Sequence, residues 1–164
     1  QCLIVVPKDS KITSLEGIRG QRLVMPEQIS YMSRLCRAEM RENKVLPGKD
    51  NVKYVREQGA VTFYLQNKLA DVGALASYSG AAAKWTQEGQ TVLFKGKPQP
   101  YFPMVASARI SPAQIAQVQR SLVEMGSEES GQAVFKTIGV QKFDISTEQR
   151  LRDLLPFLEK PETP

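Results

Sequence analysis

The chain has 164 residues, 41% hydrophobic and 24% charged, with a net charge of +5 and no histidine. That size and balance suit a single globular domain with a real core, and the missing histidine excludes a Ser-His-Asp triad, a Cys-His dyad and any histidine metal site. No apolar run approaches the ~18 residues of a membrane-spanning helix, and no GxGxxG or GxxxxGK[ST] phosphate loop occurs.

Residues 2–7, rich in Ile and Val, read as a strand ended by Pro7. The opening CLIVVP is too short for a signal peptide, and a start inside an apolar strand reads as a mature or trimmed fragment. A short helix capped by Ser14 is expected before Gly20. A strand follows at 22–25, broken by Pro26 and Glu27. Ser30 then opens a helix to about Lys44, with Leu35, Cys36 and Met40 on one face and the basic residues on a solvated one.

Pro47 and Gly48 mark a turn before a strand at 52–55. A helix is expected from Gln58 to about Lys68, with Val61, Tyr64, Leu65 and Leu69 on one stripe. DVGALA at 71–76 lacks alternation and reads as a strand buried on both faces. An Ala-rich helix from Tyr78 to Gln87 and a strand at 91–94 follow. After the Pro-rich 95–103, MVASARI at 104–110 reads as another strand. Ser111-Pro112 starts a helix ending near Gly126. A second helix spans about 128–138, and a last one from Thr147 is kinked or broken by Pro156.

Strands alternating with helices from 22 to 95 argue for an α/β fold with an open three-layer sheet. Lys and Arg alternate with Asp and Glu without a basic–aromatic run, so nucleic acid is not an expected partner. Cys2 and Cys36 could pair in an oxidising compartment, but spacing does not decide it. The helical setting of Cys36 favours a small buried hydrophobe. Glu57 and Asp71 are the carboxylates that an enzyme reading would pair, and nothing in the sequence brings them together.

Four segments carry a family resemblance: IVVPKDSKITSLEGIRGQRLVM, LQNKLADVGALAS, QPYFPMVASARISPAQIAQVQRSLVEM and GQAVFKTIGVQKF. In order and spacing they are similar to the periplasmic solute-binding proteins of phosphate- and phosphonate-type ABC transporters. The resemblance implies one lobe of a type II periplasmic-binding fold with added C-terminal helices. Residues 1–103 would form the second lobe with its hinge strand, and 104–164 the return strand and C-terminal helices. It also implies an extracytoplasmic protein that reversibly captures a small anionic or zwitterionic ligand. Its partners would be an ABC permease and a first lobe outside this chain, with hinge closure near residues 6–9 and 100–104. No cofactor, metal or covalent chemistry is implied. The same fold could serve instead as the sensing input domain of a membrane signalling protein. A lone lobe would expose an apolar hinge face and self-associate, giving a possible homodimer.

In that family a Ser/Thr-rich turn at a helix start holds the anion with hydroxyls and backbone N–H groups. The matching turn here is Ser30-Tyr31-Met32-Ser33. Ser30 keeps the pattern, while Tyr31 and Met32 replace small hydroxyl residues and Ser33 replaces a glycine. Glu57-Gln58-Gly59 stands where the family often has Gly-Ser-His. The family's acidic residue after ADVGA falls on Ala76, beside a retained Ser77. The resemblance thus puts Ser30, Tyr31, Ser33, Gln58, Gly59, Ser77 and Tyr78 in the ligand site, with Arg34 and Arg56 at its edge offsetting charge. Ser30 and Ser77 also read as simple helix caps, Tyr78 and Trp85 as packing residues, and Asp71 as structural.

Overall fold

A computed structural model describes residues 1–100, 102–145 and 148–160. They fall into two compact units: Gln1–Gln99 with the described residues from Leu155 on, and Pro100–Leu154.

The first unit is built on five strands: β1 (Cys2–Val6), β2 (Leu23–Pro26), β3 (Val52–Val55), β4 (Val72–Ala76) and β5 (Thr91–Lys95). Their order is β3-β2-β4-β1-β5. β2 runs parallel to β3 and β4, whereas β1 runs antiparallel to β4 and β5. Every residue of β1, β2 and β4 is buried, which is why none of them alternates polar with apolar. Successive side chains of β1 serve opposite faces. Cys2, Ile4 and Val6 enter one core with Leu35, Cys36 and Met40 of α1 (Tyr31–Glu42), and Leu3 and Val5 enter the other. That second core holds Val61 and Leu65 of α2 (Gln58–Gln66) and Trp85 of α3 (Gly80–Gln87). Helices thus cover both faces of an open sheet, the expected three layers.

The strand starts are tied by Arg22 and Asp71. The Arg22 guanidinium donates to both Asp71 carboxylate oxygens, at 2.9 and 2.7 Å, and the Arg22 amide donates to Oδ2 at 3.1 Å. Hydrogen bonds from Arg22 hold the Asp71 carboxyl below its ordinary range. Asp71 is structural, as its position at a strand start suggested. Glu57 precedes α2, at the far end of the strands, so the two carboxylates are not brought together.

Cys2 and Cys36 form a disulfide joining the start of β1 to the middle of α1, with Cα atoms 5.3 Å apart. The expectation of Cys36 as a merely hydrophobic residue is corrected: it is fully buried and also bonded. Ser14 adopts cap geometry before a single 3-10 turn (Leu15–Ile18), but its side chain does not accept the capping hydrogen bond. α2 stops at Gln66, so Leu69 lies beyond it and is half exposed.

The second unit contains α4 (Pro112–Glu124), α5 (Glu129–Ile138) and α6 (Glu148–Arg152). Ser111 and Gln114 make a reciprocal capping box at the start of α4, with Pro112 in its first turn. Residues 104–110, expected as a strand, are irregular. They pair with no strand among the described residues, and an extended segment without a ladder partner cannot be a sheet strand. The last helix is indeed interrupted, but at Asp153: α7 spans Leu154–Glu159 and carries Pro156 in its first turn, where proline is tolerated. Thr147 lies outside the described residues.

Candidate ligand site

Each of β2, β3 and β4 leads from its C-terminal end into a helix, so the amino ends of α1, α2 and α3 gather at one edge of the sheet. This is where open α/β sheets bind ligands, because first-turn N–H groups lack intrahelical partners and the helix dipoles present positive ends.

Ser30 caps α1, its Oγ accepting from the Ser33 amide at 3.2 Å. Ser33 is fully buried, and its hydroxyl donates to the Pro26 carbonyl at 2.7 Å. That bond ties the first turn of α1 to the end of β2, so the Ser33 hydroxyl is engaged by the fold. Tyr31 follows the cap and is half-buried. Its hydroxyl is shielded from solvent and has no hydrogen-bond partner among the described residues. Burial, and then the neighbouring Tyr78, raise its pKa above the usual tyrosine range, so it is a neutral O–H donor.

Gln58 stands at the first position of α2, and its Oε1 accepts from the Ala76 amide at 2.7 Å. It braces the end of β4. Gly59 is exposed, with open space where a Cβ would stand. Ser77 is exposed just past β4 and does not cap α3. The cap is Ser79, whose Oγ accepts from the Ala82 amide at 3.0 Å and donates to the Ala76 carbonyl at 2.8 Å. The cap reading of Ser77 is therefore corrected, since the helix begins two residues later. Tyr78 is 46% exposed, whereas Trp85 is a buried packing residue whose indole N–H donates to the Thr91 carbonyl. Arg34 and Arg56 are exposed, on the first turns of α1 and just after β3 respectively.

The family described as phosphonate ABC-transporter periplasmic substrate-binding protein matches residues 1–151. The chain belongs to this family. No curated protein matches it. Among solved structures it is similar to XAC2383 from Xanthomonas citri bound to ATP, with 19% identity and a TM-score of 0.69 over 97% of this chain and 66% of that one. It is also similar to the aliphatic sulphonate binding protein SsuA from Escherichia coli, with 14% identity and a TM-score of 0.56 over 95% and 54%. A third relative in shape is the cysteine-binding protein from Campylobacter jejuni, with 13% identity and a TM-score of 0.57 over 91% and 57%. The chain spans less than two thirds of each of these neighbours. They establish the fold of a periplasmic binding protein lobe.

Two features of the edge were not anticipated. One is a buried Glu39 on α1, whose Oε1 accepts from the Lys97 amide at 2.9 Å. A Cβ on Gly96 would sit 2.8 Å from that oxygen, so a larger residue there would push the carboxylate back. The other is the direction of β1. Because β1 is antiparallel to β4 and β5, Val6 lies opposite Thr91, at the far edge of the sheet from the helix amino ends. The start of β1 and the exit of β5 lie together instead, with the Gly96 amide donating to the Cys2 carbonyl at 2.8 Å. The expected hinge stretch at residues 6–9 thus stands at the edge of the sheet opposite the helix amino ends, a placement set by the run of β1 relative to its neighbours.

Proposed function

We propose that this chain is the greater part of an extracytoplasmic solute-binding protein of an ABC importer, holding a small oxyanion reversibly at the edge built from the amino ends of α1, α2 and α3. The observation that carries the reading is the Tyr31 hydroxyl: a buried, neutral donor without a partner among the described residues, one residue past the cap of α1. A buried donor left unpaired costs free energy that a bound acceptor would recover. Three helix amino ends favour negative charge there, and exposed Arg34 and Arg56 add to it.

Ser30, Gly59, Ser77 and Tyr78 complete the proposed lining, while Ser33 and Gln58 hold its backbone in place. The ligand is of the sulphonate, phosphate or phosphonate type. Two of the solved neighbours' names support an anionic ligand, SsuA being named for aliphatic sulphonates and XAC2383 solved with ATP, while the third is named for cysteine. The Cys2–Cys36 disulfide supports an oxidising, extracytoplasmic setting. The remaining ligand contacts come from a first lobe, and an ABC permease receives the ligand.

A thermal-shift screen of the protein with its first lobe present tests this, using phosphate, phosphite, alkylphosphonates, sulfate, sulfonates and amino acids. A rise in midpoint specific to one oxyanion class is expected, because a ligand bound only by the native state must stabilise it. No rise with any of them would overturn the reading.

A further inference from the structure

Two helices on opposite faces of the sheet end in the same unusual way. α1 and α2 finish at the end of the sheet where β2 and β4 begin, and each is followed by a lysine in the left-handed region, Lys44 and Lys68, both at φ 58°. The Lys44 amide donates to the Arg41 carbonyl and the Val45 amide to the Met40 carbonyl. The Lys68 and Leu69 amides donate in the same pattern to the Leu65 and Tyr64 carbonyls. This pair of bonds closes a helix around a residue that is usually glycine, because a Cβ is strained there. α3 makes the same two bonds around Gly89, at φ 69°. A lysine one residue earlier would complement the helix dipole without that strain.

Both lysines are exposed, and arginines from the sheet end between them hold their carbonyls. The Arg19 guanidinium donates to the Lys44 carbonyl at 2.8 and 3.2 Å, and the Arg22 guanidinium donates to the Lys68 carbonyl at 3.1 Å. Lys44, Arg19, Arg22 and Lys68 thus make a continuous basic strip across the end of the sheet, wholly within the first unit. Asp71 matches Arg22. The other charges of the surrounding loops, Lys8, Lys11 and Lys49 with Asp9, Glu16 and Asp50, cancel, so the strip keeps a positive excess. Leu69, beside Lys68, is 52% exposed.

We infer that this strip is a docking surface for a membrane that carries anionic lipids. A non-glycine residue held in the left-handed region persists where its side chain is needed, and here two such residues offer ammonium groups at one end of the molecule. Basic side chains sit at the headgroup layer of a bilayer while a protruding apolar side chain enters it, so a lipid surface matches both the strip and Leu69. Docked in this way, the chain keeps the amino ends of α1, α2 and α3, at the opposite edge of the sheet, away from the lipid.

The test is co-sedimentation of the full chain with vesicles of phosphatidylcholine alone and of phosphatidylcholine mixed with phosphatidylglycerol. Binding is expected to the mixed vesicles only, and to weaken as salt is added. Lys44→Gly and Lys68→Gly should each weaken it about fivefold, the share of one basic residue near a charged bilayer. Their thermal midpoints should stay level or rise, since glycine takes up this backbone without strain, so the loss cannot be laid to unfolding. Leu69→Ser should weaken binding about threefold. Arg120→Gln, on α4 of the second unit, removes the same charge and should leave binding within about twofold. Equal loss from Arg120→Gln would mean diffuse attraction by a basic protein and would overturn the inference. A midpoint lowered by several degrees in both glycine variants would overturn it too, because the lysines would then serve the fold. Binding to soluble polyglutamate as tight as to the mixed vesicles would assign an acidic polypeptide instead, and absence of binding to the mixed vesicles would remove the lipid partner outright.

Discussion

The two ends of the sheet are built to different specifications. Where β2 and β4 begin, Arg22 and Asp71 satisfy each other with three hydrogen bonds, and the Asp71 and Val72 amides both donate to the Arg22 carbonyl. Where the parallel strands end, the fold braces the backbone with Ser33, Gln58 and Ser79. It leaves the Tyr31 hydroxyl buried and without a partner among the described residues. One end is complete by itself. The other keeps a buried donor unpartnered among the described residues, the kind of exception to polar satisfaction that the proposed site would explain.

The largest effect should come from the disulfide, which fastens β1 to α1 at the end of the sheet where the helix amino ends gather. Its closure spans a sequence separation of 34. Chain entropy for a loop of that size corresponds to about 3–4 kcal/mol. Cys2→Ser/Cys36→Ser should therefore lower the thermal midpoint by roughly 10 °C, measured against the oxidised protein. A midpoint unchanged by both substitutions would show that the site end is held by packing alone.

Next comes Glu39. Glu39→Ala leaves the Lys97 amide without its acceptor, at a cost of about 1–3 kcal/mol. Amide exchange at residues 96–97 should accelerate while exchange in β2 stays slow. Uniform acceleration would mean that Glu39 supports the whole core and not the strand exit alone.

Asp71→Asn probes the complete end. The pair is largely solvent-screened, so the loss near neutral pH should be roughly 2 °C or less. Its pH signature is more telling. Because the folded carboxyl titrates below its unfolded value, its contribution is present above the unfolded pKa and fades as pH falls through the folded one. The difference between wild type and Asp71→Asn should therefore be constant at neutral pH, begin to fade near about pH 4, and vanish only once the pH is below the folded pKa. A difference that persists there would assign the effect to neutral hydrogen bonding.

The layered α/β architecture was legible because strands buried on both faces print as unbroken apolar runs, as in VGALA, and because Ser30 and Ser111-Pro112 announce helix starts. The failures share one cause, the dependence of a local feature on a distant partner. MVASARI has strand composition but no neighbouring strand among the described residues. Ser77 and Ser79 flank Tyr78 and either could cap a helix; only the path out of β4 chooses between them. The disulfide needed a Cα separation that composition cannot supply. Half of the candidate site was readable as a serine turn at a helix start. The buried state of the Tyr31 hydroxyl was not, because burial of one atom is set by packing across the fold and not by the local turn.

The claim that the open end waits for a ligand is tested most directly by Tyr31→Phe, compared with wild type in thermal midpoint and in the shift produced by whichever oxyanion stabilises the wild type. Removing an unpaired buried hydroxyl should leave the free protein as stable or more stable, by up to about 1 kcal/mol, while the ligand-induced shift falls sharply. A free protein destabilised by several degrees with an undiminished ligand shift would contradict the account, because the hydroxyl would then belong to the fold and not to the ligand.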